Sequence, residues 1–213
     1  MLRNFLDDLK NTLILTWHII ISPKKGLTEA VDNPKGYWYS FILLIISGLV
    51  FMPPLILAAI FLRPEGWLPL WIRFVPEDML YVYFAATAPF SFILIIIAIG
   101  CFVFSSVLRN KYTANPKDIF TTLIFSLIIV TIFDIFIELI AIIYFFVNFN
   151  HQVFPTWLLV TMFFGYGMLF IWDYILLRYS YMISCKETNP VLNIIIPMLT
   201  NIIYWACMGI WIA

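Results

Sequence analysis

IFTTLIFSLIIVTIFDIFIELIAIIYFFV, residues 119–147, is an apolar run in which Asp134 and Glu138 are the only charged residues. A bilayer core of about 30 Å needs about 20 apolar residues of α-helix, so the run is longer than one span requires. Over the whole chain of 213 residues, 63% are hydrophobic and 11% are charged. A soluble domain has about 25% charged residues. The composition therefore predicts an integral membrane protein.

Four further runs in the chain are long and apolar enough to span a bilayer. Together the five runs predict an all-α membrane protein with five transmembrane helices at about 39–62, 80–108, 118–147, 156–178 and 190–212. We expect residues 1–38 to form a cytoplasmic, amphipathic helical segment at the membrane interface, and 39–213 to form the five-helix transmembrane domain. Pro53 and Pro54 are expected to kink the first span and Pro197 the fifth. Such kinks are tolerated in transmembrane helices because neighbouring helices re-satisfy the carbonyls that a proline frees.

The first 31 residues predict two short helices. Apolar residues recur at helical spacing in the first, with Arg3, Asn4, Asp7, Lys10 and Asn11 mostly opposite, which is typical of an amphipathic helix lying in the membrane interface. Ser22 and Pro23 then predict the cap and first position of a second helix through about Val31. The apolar positions of the first helix are Leu2, Phe5, Leu6, Leu9, Leu13, Trp17 and Ile20.

The basic residues are distributed unevenly over the predicted loops. Ten lie on the side of the amino terminus and two on the other side, so the positive-inside rule places the amino terminus in the cytoplasm and the carboxyl terminus outside. The ten are Arg3, Lys10, Lys24, Lys25, Lys35, Arg109, Lys111, Lys117, Arg178 and Lys186, and the two are Arg63 and Arg73.

Asp134 and Glu138 are the first candidate functional residues. They lie four residues apart and share one helix stripe with Thr131. Because intramembrane acids are costly, one interpretation is that they line a proton or cation path. The favoured interpretation is that they act as polar contacts between helices, or dock a partner subunit, since no Lys, Arg or His lies at their depth in this chain.

The last two spans carry a second set of candidates. Asp173 lies about one turn from the predicted cytoplasmic end of its span, where it is expected to extend toward water or meet Arg178. Asn193, Pro197 and Asn201 form a stripe at i, i+4 and i+8 on the fifth span. We expect hydrogen bonds between helices there, with a ligand path as the alternative. Gly165 and Gly167 are expected to permit close helix packing.

Motifs of enzymes and of metal or cofactor sites are missing from the sequence. There is no HExxH, GxSxG or GxxxxGK[ST] pattern, so no catalytic, cofactor-binding or metal-binding residues are expected. The three cysteines are widely spaced and the two histidines stand alone. A net charge of zero gives no reason to expect a nucleic-acid partner.

Two longer stretches carry a resemblance to a known family. ILTWHIIISPKKGLTEAVDNPKGYWYSFILLIISGLV (14–50) and FIWDYILLRYSYMISCKETNPVLNIIIPMLTNII (170–203), with the long run between them, resemble the Yip family of membrane proteins, named for interaction with Ypt/Rab GTPases. The resemblance implies five helices, a cytoplasmic amino terminus and a role in membrane organisation or trafficking. The chain lacks the Asp-Leu-Tyr-Gly-Pro motif and the long polar extension of eukaryotic members. A Rab-like GTPase partner is therefore not expected. The composition, rich in Ile, Phe and Asn, is typical of a prokaryotic-type member.

The sequence thus favours a non-catalytic membrane scaffold or accessory subunit of a membrane complex. Its expected partners are membrane lipid and other membrane subunits or further copies of the chain. A small proton or cation transporter or channel that uses Asp134 and Glu138 is the alternative. A lipid-handling protein with a groove beside the fifth span is a third interpretation.

Overall fold

The computed structural model describes residues 2–46, 115–147 and 155–212. These residues form helices and contain no strand. They are α1 (Leu2–Ile21), α2 (Pro23–Asp32), α3 (Gly36–Ile46), α4 (Pro116–Val147), α5 (Thr156–Ser184) and α6 (Leu192–Ile212). The expected span 80–108 and most of 39–62, with Pro53 and Pro54, lie outside the described residues.

Helices α2 and α4 begin where the sequence has helix-start signals. Pro23 and Pro116 each occupy a first helical position, where the missing N–H costs no hydrogen bond. Ser22 is in the expected cap position but makes no side-chain cap hydrogen bond. Asn115 Oδ1 accepts a hydrogen bond from the Lys117 N–H at 3.1 Å and so satisfies one donor of the α4 end. Helices α4, α5 and α6 begin within two residues of the predicted starts at 118, 156 and 190.

Helix α4 is the centre of the described bundle. Every residue from 121 to 130 is buried, because α1, α2 and α5 all contact this helix. A helix that is apolar all around is expected to be enclosed in this way. The largest core cluster joins residues of α1, α2 and α3 to α4 and α5. The amino-terminal helices therefore pack into the same core as the long apolar helices.

Two glycines permit the tight packing of α1, α2 and α3. A Cβ atom added to Gly26 would lie 2.6 Å from the Ile19 Cα and N atoms, so α2 approaches the backbone of α1 directly. A Cβ atom on Gly36, the first residue of α3, would collide with the carbonyl oxygen of Ala30 in α2. Both positions require a residue without a side chain.

The other two described glycines behave differently from each other. A Cβ atom on Gly165 would come within 3.0 Å of Ile137 Cδ1, so the expected close approach of α5 to α4 is confirmed there. Gly167 has nothing within 4 Å of its added Cβ among the described residues, so for this glycine close packing stays a prediction. The two residues lie on different faces of α5, since they are two positions apart on a helix.

Among the described residues, α5 is the one helix with the length and apolar composition to cross a bilayer. Helix α3 and the first part of α6, Leu192–Ala206, are shorter apolar helices. Helix α6 continues through Pro197 without ending.

Candidate functional site

Asp134, Glu138 and Thr131 lie within the α4 backbone, but their side chains are outside the part of the chain that the structure describes. In the same stretch of α4, Phe133, Phe136 and Ile140 are exposed. The prediction that the acids contact a partner or an ion stays a prediction.

Asp173 is fully buried between α5 and α6. Trp205 Nε1 donates a hydrogen bond to Asp173 Oδ2 at 3.1 Å. The expectation that Asp173 extends to water or meets Arg178 is wrong, since the ion pairs among the described residues do not include it. A helical side chain leans toward the amino end of its own helix, which carries Asp173 away from Arg178. Helix α6 then covers it.

The half-buried Trp205 ring contacts aromatic side chains of both helices. Ring centroids lie 6.3 Å from Tyr166, 6.2 Å from Phe170 and 6.0 Å from Tyr204. Aromatic pairs at such distances add to the area that they bury. The sequence reasoning missed Trp205. A buried indole N–H needs an acceptor, and Asp173 is the one acid within the preceding predicted span, which is a signal that could have paired them.

Asn201 forms a second bond between the same helices. Its Nδ2 donates to the Phe170 carbonyl oxygen at 3.0 Å, so the expected interhelical hydrogen bond is confirmed. Trp205 packs against residues 166 and 170, so its level on α5 is near residue 168. Because α5 and α6 run antiparallel, Asn201, one turn earlier, lies at about the depth of Asp173.

Asp173 and Asn201 each keep one side-chain oxygen buried. Asp173 Oδ1 and Asn201 Oδ1 have no hydrogen-bond partner among the described residues. Buried polar groups are usually hydrogen-bonded, so these two oxygens are costly to keep. Two hydrogen bonds, from Trp205 to Asp173 and from Asn201 to the Phe170 carbonyl oxygen, and an aromatic cluster therefore join α5 to α6.

Asn193 has a different role from the one expected. Its Nδ2 donates to the Glu187 carbonyl oxygen at 3.0 Å, within the loop that leads from α5 into α6. The expectation of a bond between helices is wrong for this residue. Asn193 lies in the first turn of α6, where the loop is the nearest source of an acceptor.

A seam of small hydroxyl side chains joins α4 to α5, and the sequence reasoning missed it. Ser126 Oγ lies 2.7 Å from Ser180 Oγ, and Ser180 Oγ also donates to the Thr122 carbonyl oxygen at 3.3 Å. All three residues are buried. Thr122 and Ser126 are four residues apart, as are Ser180 and Ser184. That spacing of small polar residues on two apolar helices is typical of a close helix contact.

Three polar contacts fix α1 to the helices that follow it, and we name them the N-terminal clasp. Lys35 Nζ lies 2.7 Å from Asp8 Oδ1, and His18 Nδ1 lies 3.1 Å from Glu29 Oε2. Asn11 Nδ2 donates to the Tyr39 hydroxyl at 3.4 Å. The hydrogen bond to Asp8 raises the pKa of Lys35 above its usual value.

The opposite side of α1 is exposed and mostly apolar. We call this surface the outer stripe and define it as Leu6, Lys10, Leu13, Trp17 and Ile21. Trp17 is 60% exposed and Ile21 is 65% exposed, and Lys10 is also exposed.

The outer stripe differs in part from the apolar face read from the sequence. Leu9 and Ile20 are partly buried against the core, whereas Lys10 lies among the exposed apolar residues and not opposite them. The difference arises because a second face of α1 covers the bundle. Its buried residues are Thr12, Leu15, Thr16 and Ile19.

The described residues include no group of three His, Cys, Asp or Glu side chains that could hold a metal ion. Comparison of the chain with known protein families, with curated proteins and with solved structures finds no match.

Proposed function

We propose that the chain is a non-catalytic, multi-pass membrane protein that acts as a scaffold or accessory subunit of a membrane complex. In this proposal it has five spans, a cytoplasmic amino terminus and an outer carboxyl terminus. It works through helix–helix contacts in the bilayer and through α1 and α2 on the cytoplasmic surface. The Yip-like character read from the sequence is part of the proposal.

The observation that carries the proposal is the exposed surface of α5. Phe163 is 77% exposed, Met168 is 73% exposed, and Phe164 and Ile171 are also exposed. The polar Asp173 and Ser180 of the same helix are buried. A helix with large apolar side chains outward and polar side chains inward suits lipid or another apolar helix as its surroundings.

The proposed orientation is supported by the ends of the helices. Asp118, in the first turn of α4, is close enough to interact electrostatically with Lys186 and Asp32. The end of α2, the start of α4 and the loop after α5 are therefore neighbours. Lys117 and Lys186 lie in this group, as the positive-inside rule requires of a cytoplasmic face.

Purification from native membranes in mild detergent, followed by native mass spectrometry, tests the role. We expect a stoichiometric membrane partner to remain bound to the chain. The double variant Asp134→Asn, Glu138→Gln is expected to lose that partner, and Asp118→Asn, in the first turn of the same helix, serves as the control. If the double variant retains every partner, docking through the two acids is wrong.

Reconstitution of the purified chain in liposomes separates this role from transport. A scaffold is expected to show no proton or cation flux. A flux that the chain produces by itself and that Asp134→Asn abolishes would overturn the proposed role.

A further inference from the structure

The outer stripe has a fixed orientation on the bundle. The opposite face of α1 is buried in the core through Leu15 and Ile19, and the clasp residues hold the helix at Asp8 and His18. Turning the outer stripe inward would break both sets of contacts. The surface is therefore presented outward as a permanent feature of the described fold.

The composition of the outer stripe indicates what it contacts. Four large apolar residues surround a single cation, Lys10, and one of the four is a tryptophan. A lysine can bury its methylene stem along apolar side chains and extend its ammonium group to a polar layer. Tryptophan favours the level of lipid headgroups. This pattern fits the boundary between acyl chains and phosphates.

The charges around the outer stripe indicate which lipids it prefers. Lys24 and Lys25 follow the end of the stripe within four residues and are exposed. The described ion pairs engage Lys35 with Asp8 and Glu29 with His18, and they leave Lys10, Lys24 and Lys25 available to an anion. A basic residue beside an acidic leaflet strengthens binding about fivefold.

We propose that the outer stripe of α1, with Lys10, Lys24 and Lys25, is a binding surface for acidic phospholipids of the membrane that holds the chain. This inference rests on the proposed membrane location. It goes beyond that proposal by naming the lipid class and the residues that select it.

Photocrosslinking of the full chain tests the proposal. The chain is reconstituted in vesicles with equal parts of phosphatidylcholine and phosphatidylglycerol, with benzoylphenylalanine in place of Leu13 and, in separate samples, of Asn11 or Phe164. Position 164 on α5 reports membrane insertion, and position 11 reports the clasp side of α1. We expect lipid to be captured at 13 and 164 and little at 11, with phosphatidylglycerol in several-fold excess at 13.

Charge variants at the stripe complete the test. Lys10→Gln is expected to remove most of the several-fold excess of phosphatidylglycerol at position 13, and Lys10→Arg to retain it. Adding Lys24→Gln and Lys25→Gln is expected to remove the rest. Equal capture of both lipids, unchanged by Lys10→Gln, would overturn the proposal, as would capture of protein and no lipid at 13. Absence of lipid at position 164 would instead contradict the proposed membrane location.

Discussion

Gly26 is the residue at which the backbones of α1 and α2 come closest. A Cβ atom there would meet backbone atoms of Ile19 at 2.6 Å, and backbone cannot move aside as a flexible side chain can. We expect Gly26→Ala to destabilise the protein by about 1–3 kcal/mol, the usual cost of overpacking. Thermal unfolding in detergent measures the change.

Gly167→Ala is the matched control for that substitution. Its added methyl group meets none of the described residues within 4 Å, and alanine favours a helix over glycine by up to about 1 kcal/mol. Its unfolding temperature should be unchanged or higher. Equal losses of stability in both variants would contradict the account of the α1–α2 contact.

The bond between Asp173 and Trp205 predicts coupled effects of substitution. Trp205→Phe removes the donor and leaves the buried carboxyl without its described partner. We expect Asp173→Asn and Trp205→Phe to be non-additive in the free energy of unfolding, with a coupling energy of about 0.5–2 kcal/mol. Phe163→Leu with Trp205→Phe is the reference pair, whose effects should be additive. Additive effects of Asp173→Asn and Trp205→Phe would show that the bond does not stabilise the protein.

At the residue scale, the sequence could indicate which polar residues make contacts between helices. It could less easily indicate which partners they contact. Asp173 and Asn201 are conspicuous in apolar runs, and both prove to be buried between helices. The partner of Asp173 depends on the vertical register of α6 against α5, which no local pattern contains. The same reasoning failed for Asn193, because a loop carbonyl was nearer than the facing helix.

Among the elements, α5 ends in a strained position. Lys186 has a φ of 49°, in the left-handed region, and the Glu187 N–H reaches the Met182 carbonyl oxygen at 3.2 Å to close the helix. Glycine adopts this conformation without a steric penalty. We expect Lys186→Gly to raise the free energy of unfolding by about 1 kcal/mol. Chemical denaturation measures it.

Lys186→Ala is the control for that substitution. It removes the same charge, including the interaction with Asp118, and keeps the steric penalty. A gain in stability that is as large for alanine as for glycine would assign the effect to charge and not to the backbone.

The N-terminal clasp predicts how firmly α1 is held. Lys35→Met removes the ion pair with Asp8, and hydrogen exchange of the first turns of α1 should become faster. Lys25→Met, which changes an exposed lysine outside the described ion pairs, should leave exchange unchanged.

The pH dependence of the clasp follows from the pKa of Lys35. The folded-state pKa is raised above 10.5, so the contribution of Lys35 is complete below pH 10.5 and is lost only as the pH rises through the raised value. The Lys35→Met effect should therefore not weaken between neutral pH and pH 9. A steady decline over that range would contradict the assignment to this lysine.

Helix α1 shows how far a pattern of apolar residues determines an element. Its amphipathic character could be read from the sequence, and the exposed Leu6, Leu13 and Trp17 agree with that reading. The pattern could not show that α1 has a second covered face, because the residues of that face include two threonines. Thr12 and Thr16 are buried because each donates a hydrogen bond to a backbone carbonyl of its own helix.

At the scale of the whole molecule, the helical class and the starts of the long helices could be predicted, because apolar run length and proline positions determine them. The packing of the amino-terminal helices into the same core as α4 could not. It depends on close backbone approach at Gly26 and Gly36, and a glycine in the sequence does not indicate which residue packs against it.

The proposed topology is the claim on which the proposed function and the lipid-binding surface both depend. Fusions at each end of the chain test it most directly, with green fluorescent protein as a reporter of the cytoplasm and alkaline phosphatase as a reporter of the outer side. Our account predicts fluorescence from the amino-terminal fusion and phosphatase activity from the carboxyl-terminal one. Fluorescence from both ends, with no phosphatase activity, would mean an even number of spans and would contradict it.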